Sequence, residues 1–175
     1  MRSNSTPAIA ALAVALCIAA CTTAPPAPEP VALTSASPEQ MVAAIDAAAG
    51  SGEGELAVQP LRDPMVEDLR AQAQQARAQG GYDEAAAALD RALAIVADDP
   101  ALLQERAETA LLQRDYERAG ALAERAFALG AQVGPLCRRH WATIEQVRLA
   151  AGDAAGAASA RHQVEGCKVA GPNRF

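Results

Sequence analysis

The sequence predicts an all-α fold, an α-α superhelix of about three helical hairpins that follows a disordered N-terminal linker. The first observation is an internal repeat, because the run 81–85 (GYDEA) returns in similar form as the run 115–119 (DYERA). The second is composition: alanine dominates an apolar content of 51%, and aromatic residues make up 3% of the chain. Such a composition favours closely packed helices over sheets. The third is an aspartate followed by a proline, a preferred helix start, at 63–64 and again at 99–100.

Residues 1–20 are predicted to be a lipoprotein signal peptide. Arg2 precedes an unbroken apolar run from 8 to 20, which is shorter than the ~20 residues of a membrane-spanning helix and suits a secretory signal. The run Ile18-Ala19-Ala20-Cys21 resembles the lipobox of bacterial lipoproteins. That resemblance implies cleavage before Cys21 and lipidation of Cys21, including an N-acyl chain such as palmitate. An ordinary signal peptide that ends at a cysteine by chance is the alternative.

The lipoprotein resemblance also implies a location. A residue with several acyl chains is stably anchored in a membrane, and Cys21 is followed by Thr22, not by the aspartate that retains some bacterial lipoproteins in the inner membrane. We therefore expect a lipid-anchored protein of the outer membrane that faces the periplasm. Residues 21–36 are rich in proline, which is typical of an extended linker that holds a folded part away from its anchor.

The net charge disfavours one class of partner. Without residues 1–20 the chain has 15 − 1 = 14 basic residues and 21 acidic residues, a net charge of −7. Nucleic-acid binding depends on clusters of lysine and arginine, so no nucleic-acid partner is predicted.

A short helix and a loop are predicted over residues 37–62. Ser37 and Gln40 have the spacing of a capping box, with Pro38 at the first helical position. The helix carries Met41, Val42 and Ile45 on one side and ends at Gly50. The pattern does not decide whether this helix packs on the repeats.

Three repeats are predicted over residues 63–98, 99–133 and 134–167, before a C-terminal tail over 168–175. The first two repeats should form helices over 64–79 and 82–96, then from 100 to about 113 and over 116–129. The third should open at Gly134-Pro135, turn at Gly152-Asp153 and end near Gly166.

These repeats resemble the tetratricopeptide family, whose unit is a pair of antiparallel helices of about 34 residues, the same offset that separates the runs 81–85 and 115–119. The resemblance is carried by a large apolar residue early in each first helix and a small residue in each second helix: Leu69, Leu103, Trp141, Ala85, Ala119 and Ala157. Gln72 and Arg106 depart from the family pattern, which usually has leucine there. The resemblance implies a TPR-like solenoid whose first helices line a concave face, and such arrays usually bind other proteins.

By the spacing of that family, eight residues are expected to face a partner from the first helices: Arg70, Gln74, Arg77, Gln104, Glu108, Leu111, Arg139 and Gln146. Arg70, Arg77 and Arg139 could each hold a carboxylate of a peptide or protein segment. A solvated helix face that binds no ligand is the alternative.

One cysteine lies at the start of the last hairpin and the other just past its end. Because the two helices are antiparallel, these two points of the chain lie close together. Cys137 and Cys167 are therefore predicted to form a disulfide, which an oxidising periplasm permits. The alternative is a zinc site made by the same cysteines with His140 and His162, since zinc accepts cysteine and histidine ligands.

No catalytic motif is present, so an enzyme is not predicted and no cofactor is expected. The expected function is that of a protein-protein interaction adaptor in cell-envelope assembly, in pilus or secretion, peptidoglycan or outer-membrane machinery. The alternatives are a structural envelope lipoprotein without a ligand on the predicted concave face and, less favoured, a zinc-binding protein. The partner, a protein or peptide, is not identified by the sequence.

Overall fold

The computed structural model describes residues 31–50 and 63–168, and within those two ranges the chain is helical with no strand. The helices are α1 (Pro38–Ala49), α2 (Pro64–Ala78), α3 (Tyr82–Ile95), α4 (Pro100–Leu112), α5 (Tyr116–Leu129), α6 (Gly134–Ala150) and α7 (Ala154–Gly166). The predicted all-α fold is confirmed. The signal peptide, Cys21, most of the linker, the 51–62 loop and the tail beyond 168 lie outside the described residues. None of the described helices is long and apolar enough to span a bilayer.

Side-chain caps set where the helices begin. The Ser37 hydroxyl accepts the Gln40 backbone N–H, and the Gln40 side chain accepts the Ser37 N–H at 2.8 Å, so the capping box at α1 is complete. The Asp63 carboxylate accepts the N–H of Met65, which is the first N–H of α2 because proline has none, and the Asp99 carboxylate accepts the N–H groups of Ala101 and Leu102 in α4. These caps satisfy donors that a helix start otherwise leaves unpaired, which is why the helix limits follow the predicted ones within about one residue.

The two helices of each hairpin are joined through one residue with a left-handed backbone. The φ angle is 77° at Gly80, 63° at Arg114 and 76° at Gly152. In each case the following residue donates its N–H to the carbonyl five positions back, at 2.9 Å, which closes the end of the first helix. Arg114 takes this backbone conformation where the other two hairpins have glycine.

Three hairpins, α2–α3, α4–α5 and α6–α7, pack side by side in chain order. Ala85, Ala119 and Ala157, the small residues at equivalent positions of the three second helices, are all buried. Tyr82 and Tyr116, which hold equivalent positions in the first two repeats, are both half-buried against the same apolar cluster. The repeat seen in the sequence is therefore also a repeat of side-chain environment.

Arg106, one of the departures from the repeat pattern, is buried, while Gln72 is exposed. The Arg106 guanidinium donates to the Asp90 carboxylate at 2.8 Å and to the Gln113 side chain at 3.3 Å. The ion pair ties the second helix of one hairpin to the first helix of the next, so the polar side chain takes the place of an apolar contact.

Helix α1 packs along α6 and touches α4. Met41, Val42 and Ile45 are buried in one cluster with Leu111, and the Leu33 N–H just before the helix bonds to the carbonyl of Leu149 at 2.8 Å. At its other end, Arg138 near the start of α6 donates to the carbonyl of Ala49. The helix therefore runs antiparallel to α6, which answers the question that the sequence pattern leaves open.

A disulfide between Cys137 and Cys167 closes the outer end of the last hairpin, and both cysteines are buried. The Gly134 N–H adds a hydrogen bond to the Cys167 carbonyl at 2.7 Å. The predicted disulfide is confirmed. Of the two histidines in the zinc alternative, His140 is buried and bonded to Gln104, and His162 is exposed. Residues 31–50 and 63–168 contain no group of three or more side chains placed to hold a metal ion.

Candidate partner-binding face

The eight predicted partner-binding residues lie on α2, α4 and α6, and we call the surface that these three helices form the first-helix face. Gln74 is exposed, and Arg70, Arg77, Arg139 and Gln146 are half-buried.

The other three predicted residues do not face a partner in this structure. Gln104, Glu108 and Leu111 are buried, with at most 1% of each exposed. Leu111 is covered by the apolar side of α1, and the two polar residues lie among polar side chains of α2, α4 and α6. The expectation of an open surface is therefore wrong at these positions, because the chain covers them itself.

A buried carboxylate lies at the centre of the face. Both oxygens of Glu108 accept from the Arg139 guanidinium, the second at 2.8 Å, and Gln104 donates to the first, also at 2.8 Å. Arg77 approaches the same carboxylate at 3.5 Å, which is at the limit of a hydrogen bond. A buried charge is tolerated when it is paired and hydrogen-bonded in this way.

Arg139 links this carboxylate to α1. Besides Glu108, it pairs with the Asp46 carboxylate on α1 at 2.8 Å. Burial disfavours the charged form of Arg139, but the two carboxylates outweigh burial and hold its pKa above the ordinary value. Arg139 therefore remains a cation that joins three helices.

Arg70, like Arg139, forms ion pairs with two carboxylates of this chain. Its guanidinium donates to Glu105 on α4 and to Glu67 on α2, the latter at 3.0 Å. The hydrogen bond to Glu105 is the main cause that raises the pKa of Arg70. The arginines expected to hold a partner's carboxylates thus already bind carboxylates of this chain.

A second set of buried polar groups joins α4 to α6. The Gln104 amide donates to the Thr143 hydroxyl at 2.7 Å, and its carbonyl oxygen lies 2.7 Å from Nδ1 of His140. Nδ1 therefore carries the proton, and the buried Nε2 has no hydrogen-bond partner. Burial, with a smaller effect from Arg139, lowers the pKa of His140 to about 4, so this imidazole is neutral at neutral pH.

Sequence reasoning missed Asp46, Glu105, Arg138 and Thr143, which complete these contacts. The residues carry no motif, and their roles depend on which helix lies opposite. One signal was present: Leu111 is a large apolar residue at a position predicted to face solvent or a partner, and such a residue usually has a cover.

Comparisons with known proteins bear on the folded body. No protein-family model matches the chain, and no curated protein matches it, so the tetratricopeptide resemblance stays a prediction. Among solved structures, the globular C-terminal domain of P. aeruginosa LpoP is similar, with 33% sequence identity and a TM-score of 0.57. The similarity covers 60% of this chain and 99% of that domain. The chain therefore belongs to the family of the LpoP globular C-terminal domain.

Proposed function

We propose that this protein is an outer-membrane-anchored, periplasm-facing lipoprotein that acts as a protein-protein interaction adaptor in cell-envelope assembly. The lipid is attached at Cys21, the Pro-rich segment is the tether, and the helical hairpins bind the partner. The observation that carries the proposal is a lipobox-like Cys21 ahead of a folded body that is 33% identical to the LpoP domain. Stacked helical hairpins typically serve as binding scaffolds, so the proposal includes no catalysis and no cofactor.

The proposed partner is a protein that also binds the LpoP domain, because the similarity extends over 99% of that domain. Pilus or secretion, peptidoglycan and outer-membrane machinery are the three settings to be separated. One capture experiment tests all three, with the LpoP domain as a competitor.

The anchor is tested by metabolic labelling with palmitate. The Cys21→Ala variant should lose the label and leave the outer-membrane fraction. The matched control is Cys17→Ala, since Cys17 is removed with the signal peptide and its replacement should leave labelling unchanged. Label that persists in Cys21→Ala would refute the lipid anchor.

The adaptor role is tested by crosslinking in intact cells, detergent extraction and affinity capture of the full chain. We expect one protein to be captured reproducibly, and an excess of the LpoP domain, produced in the periplasm before crosslinking, should reduce its capture. If a partner is captured but the LpoP domain does not compete with it, the adaptor role stands and the expectation of a partner shared with the LpoP domain is wrong. Failure to capture any protein would refute the adaptor role itself.

A structural envelope lipoprotein is the second candidate, and one observation favours it. Gln104, Glu108 and Leu111 are buried, and α1 already covers part of the first-helix face. For this candidate we expect no captured partner, together with a loss of envelope integrity when the protein is deleted.

A further inference from the structure

Helix α1 lies on the surface of the hairpin stack. Its inner side chains, Met41, Val42 and Ile45, are at most 8% exposed, whereas Ala43 and Ala44 on its outer side are exposed. The helix contacts α6 and, less extensively, α4. The two helices of each hairpin contact each other directly and not through α1, so its departure would leave those contacts in place.

The contacts of α1 show which chemistry this surface accepts. An apolar stripe from Met41 to Ile45 lies against Leu111 and Ala142. The Asp46 carboxylate, next to that stripe, pairs with Arg139 at 2.8 Å. Arg138 donates to the last carbonyl of the helix, that of Ala49, at 2.7 Å and 2.9 Å.

We propose that α4 and α6 form a helix-binding groove, that α1 fills this groove in cis, and that the adaptor's partner supplies an amphipathic helix of the same pattern which displaces α1. The proposal deepens the adaptor function and rests on it. The partner helix carries apolar side chains at the positions of Met41, Val42 and Ile45 and a carboxylate at the position of Asp46. Binding of such a helix in an apolar groove is a common mode of recognition.

The groups exposed when α1 leaves match such a partner. Leu111 needs an apolar cover, and Arg139 loses one of its two carboxylates and can bind that of a partner bidentately. The attached α1 competes at a high effective concentration, so the apparent affinity for a partner helix falls by the fraction of molecules whose groove is open. Only a helix that fits the groove well displaces α1.

The test uses a fluorescent synthetic peptide with the sequence of residues 37–50 and the full chain purified in detergent. The Ile45→Asp variant should release α1, because it places a carboxylate at a fully buried position. Ala44→Asp is the matched control, since it adds the same group at the adjacent exposed position. We expect the peptide to bind Ile45→Asp about tenfold or more tightly than the wild type or the control, as measured by fluorescence anisotropy.

The peptide itself provides two further controls. A peptide that carries Ile45→Asp should not bind, and one that carries Asp46→Asn should bind several-fold more weakly because it cannot form the ion pair with Arg139. Equal binding of the normal peptide to Ile45→Asp and to the wild type, with helix content intact by circular dichroism, would overturn the proposal.

Hydrogen exchange of the wild-type protein gives a test that does not depend on the folding of a variant. Amides of α1 should exchange through an opening that leaves α4 and α6 protected. Exchange of α1 only together with α4 and α6 would overturn the proposal, as would a wild-type dimer whose α1 helices are crosslinked to the other copy. If the peptide binds but no protein is captured from cells, the adaptor function is refuted and the groove remains. If a protein is captured but the peptide does not bind, the groove alone is refuted.

Discussion

At the scale of single residues, buried polar side chains fix how α4 lies against α6. Gln104 bonds to Glu108, Thr143 and His140, and each partner is itself buried. Such a network is stabilising only when its members keep their hydrogen bonds. It therefore specifies one register between the second and third hairpins more strictly than an apolar contact would.

His140 makes the stability of the protein depend on pH. Burial lowers its pKa to about 4, whereas a histidine in an unfolded chain titrates near 6.5. Between these values the unfolded chain binds a proton that the folded protein does not, so stability falls as the pH falls from about 6.5 to about 4. The loss due to His140 is about 3 kcal/mol, which urea unfolding at about pH 7 and about pH 4 measures.

Two variants isolate this effect. His140→Asn keeps a donor near the Nδ1 position for Gln104 but does not titrate, so the free energy of unfolding should vary less with pH. The exposed His162 is the matched control, and His162→Asn should retain the wild-type dependence. An unchanged pH dependence in His140→Asn would contradict the assignment.

The buried polar residues also show where sequence reasoning ends at this scale. The sequence predicts that Gln104, Glu108 and Arg139 share one side of the hairpins, and the structure brings them together. It does not reveal that they bind each other, because polar residues on a helix face have the same pattern whether they face solvent or a neighbouring helix.

At the scale of the elements, most helix limits could be predicted because local chemistry determines them. Ser37 with Gln40, Asp63 and Asp99 are helix starts that depend on a few neighbouring residues. The position of α1 could not be predicted. Met41, Val42 and Ile45 indicate that the helix has an apolar side, but not what that side packs against.

Two adjacent aspartates give a matched test of helix capping. Asp99 accepts the N–H groups of Ala101 and Leu102 at 2.8 Å and 3.0 Å, whereas Asp98 makes an exposed ion pair with Arg125. Asp99→Ala should lower the free energy of unfolding by about 1 kcal/mol, and Asp98→Ala by less than about 0.5 kcal/mol. Urea unfolding of the two variants measures the difference, and equal losses would show that the cap is unimportant.

The disulfide should stabilise the last hairpin strongly. It links residues that are 30 positions apart, and in the chain-entropy model a closed loop of that size contributes roughly 3–4 kcal/mol. The double variant Cys137→Ala, Cys167→Ala should lose about that amount in urea unfolding. A reducing agent should destabilise the wild type and leave the double variant unchanged, and a wild type equally stable in both forms would contradict the prediction.

At the scale of the whole molecule, the two ends of the stack are held differently. The third hairpin is closed by the Cys137–Cys167 disulfide and packed against α1. The first hairpin packs against α4, and its links to the second include the ion pairs of Arg70 with Glu105 and of Asp90 with Arg106. Stability is thus unevenly distributed along the array.

We therefore expect the first hairpin to open before the third. Hydrogen exchange should be faster in α2 and α3 than in α6 and α7, because the first hairpin lacks the disulfide and the cover of α1 that hold the third. The α6 amides, in the hairpin that the disulfide closes, are the internal reference. Uniform protection across the three hairpins would contradict this expectation.

The overall architecture could be predicted from the internal repeat. The cover that α1 forms over part of the first-helix face could not. The matching positions of Tyr82 and Tyr116 place the hairpins in register. A repeat describes what its units have in common, and α1 lies outside the repeats. A helix that packs on two repeats at once leaves no periodic trace in the sequence.

Under the proposed anchor, the hydrogen bond between Leu33 and Leu149 limits how far the body can stand from the membrane. With a lipid on Cys21, only 33 − 21 = 12 residues separate the anchor from this attachment point, a linker of at most about 40 Å at full extension. This linker joins the body beside the turn at Gly152. A fully extended linker would therefore hold that end of the body nearer the bilayer than the end that carries the disulfide. With that anchor, a partner held in the opposite membrane would have to span the rest of the space between the membranes itself while α1 stays packed on α6.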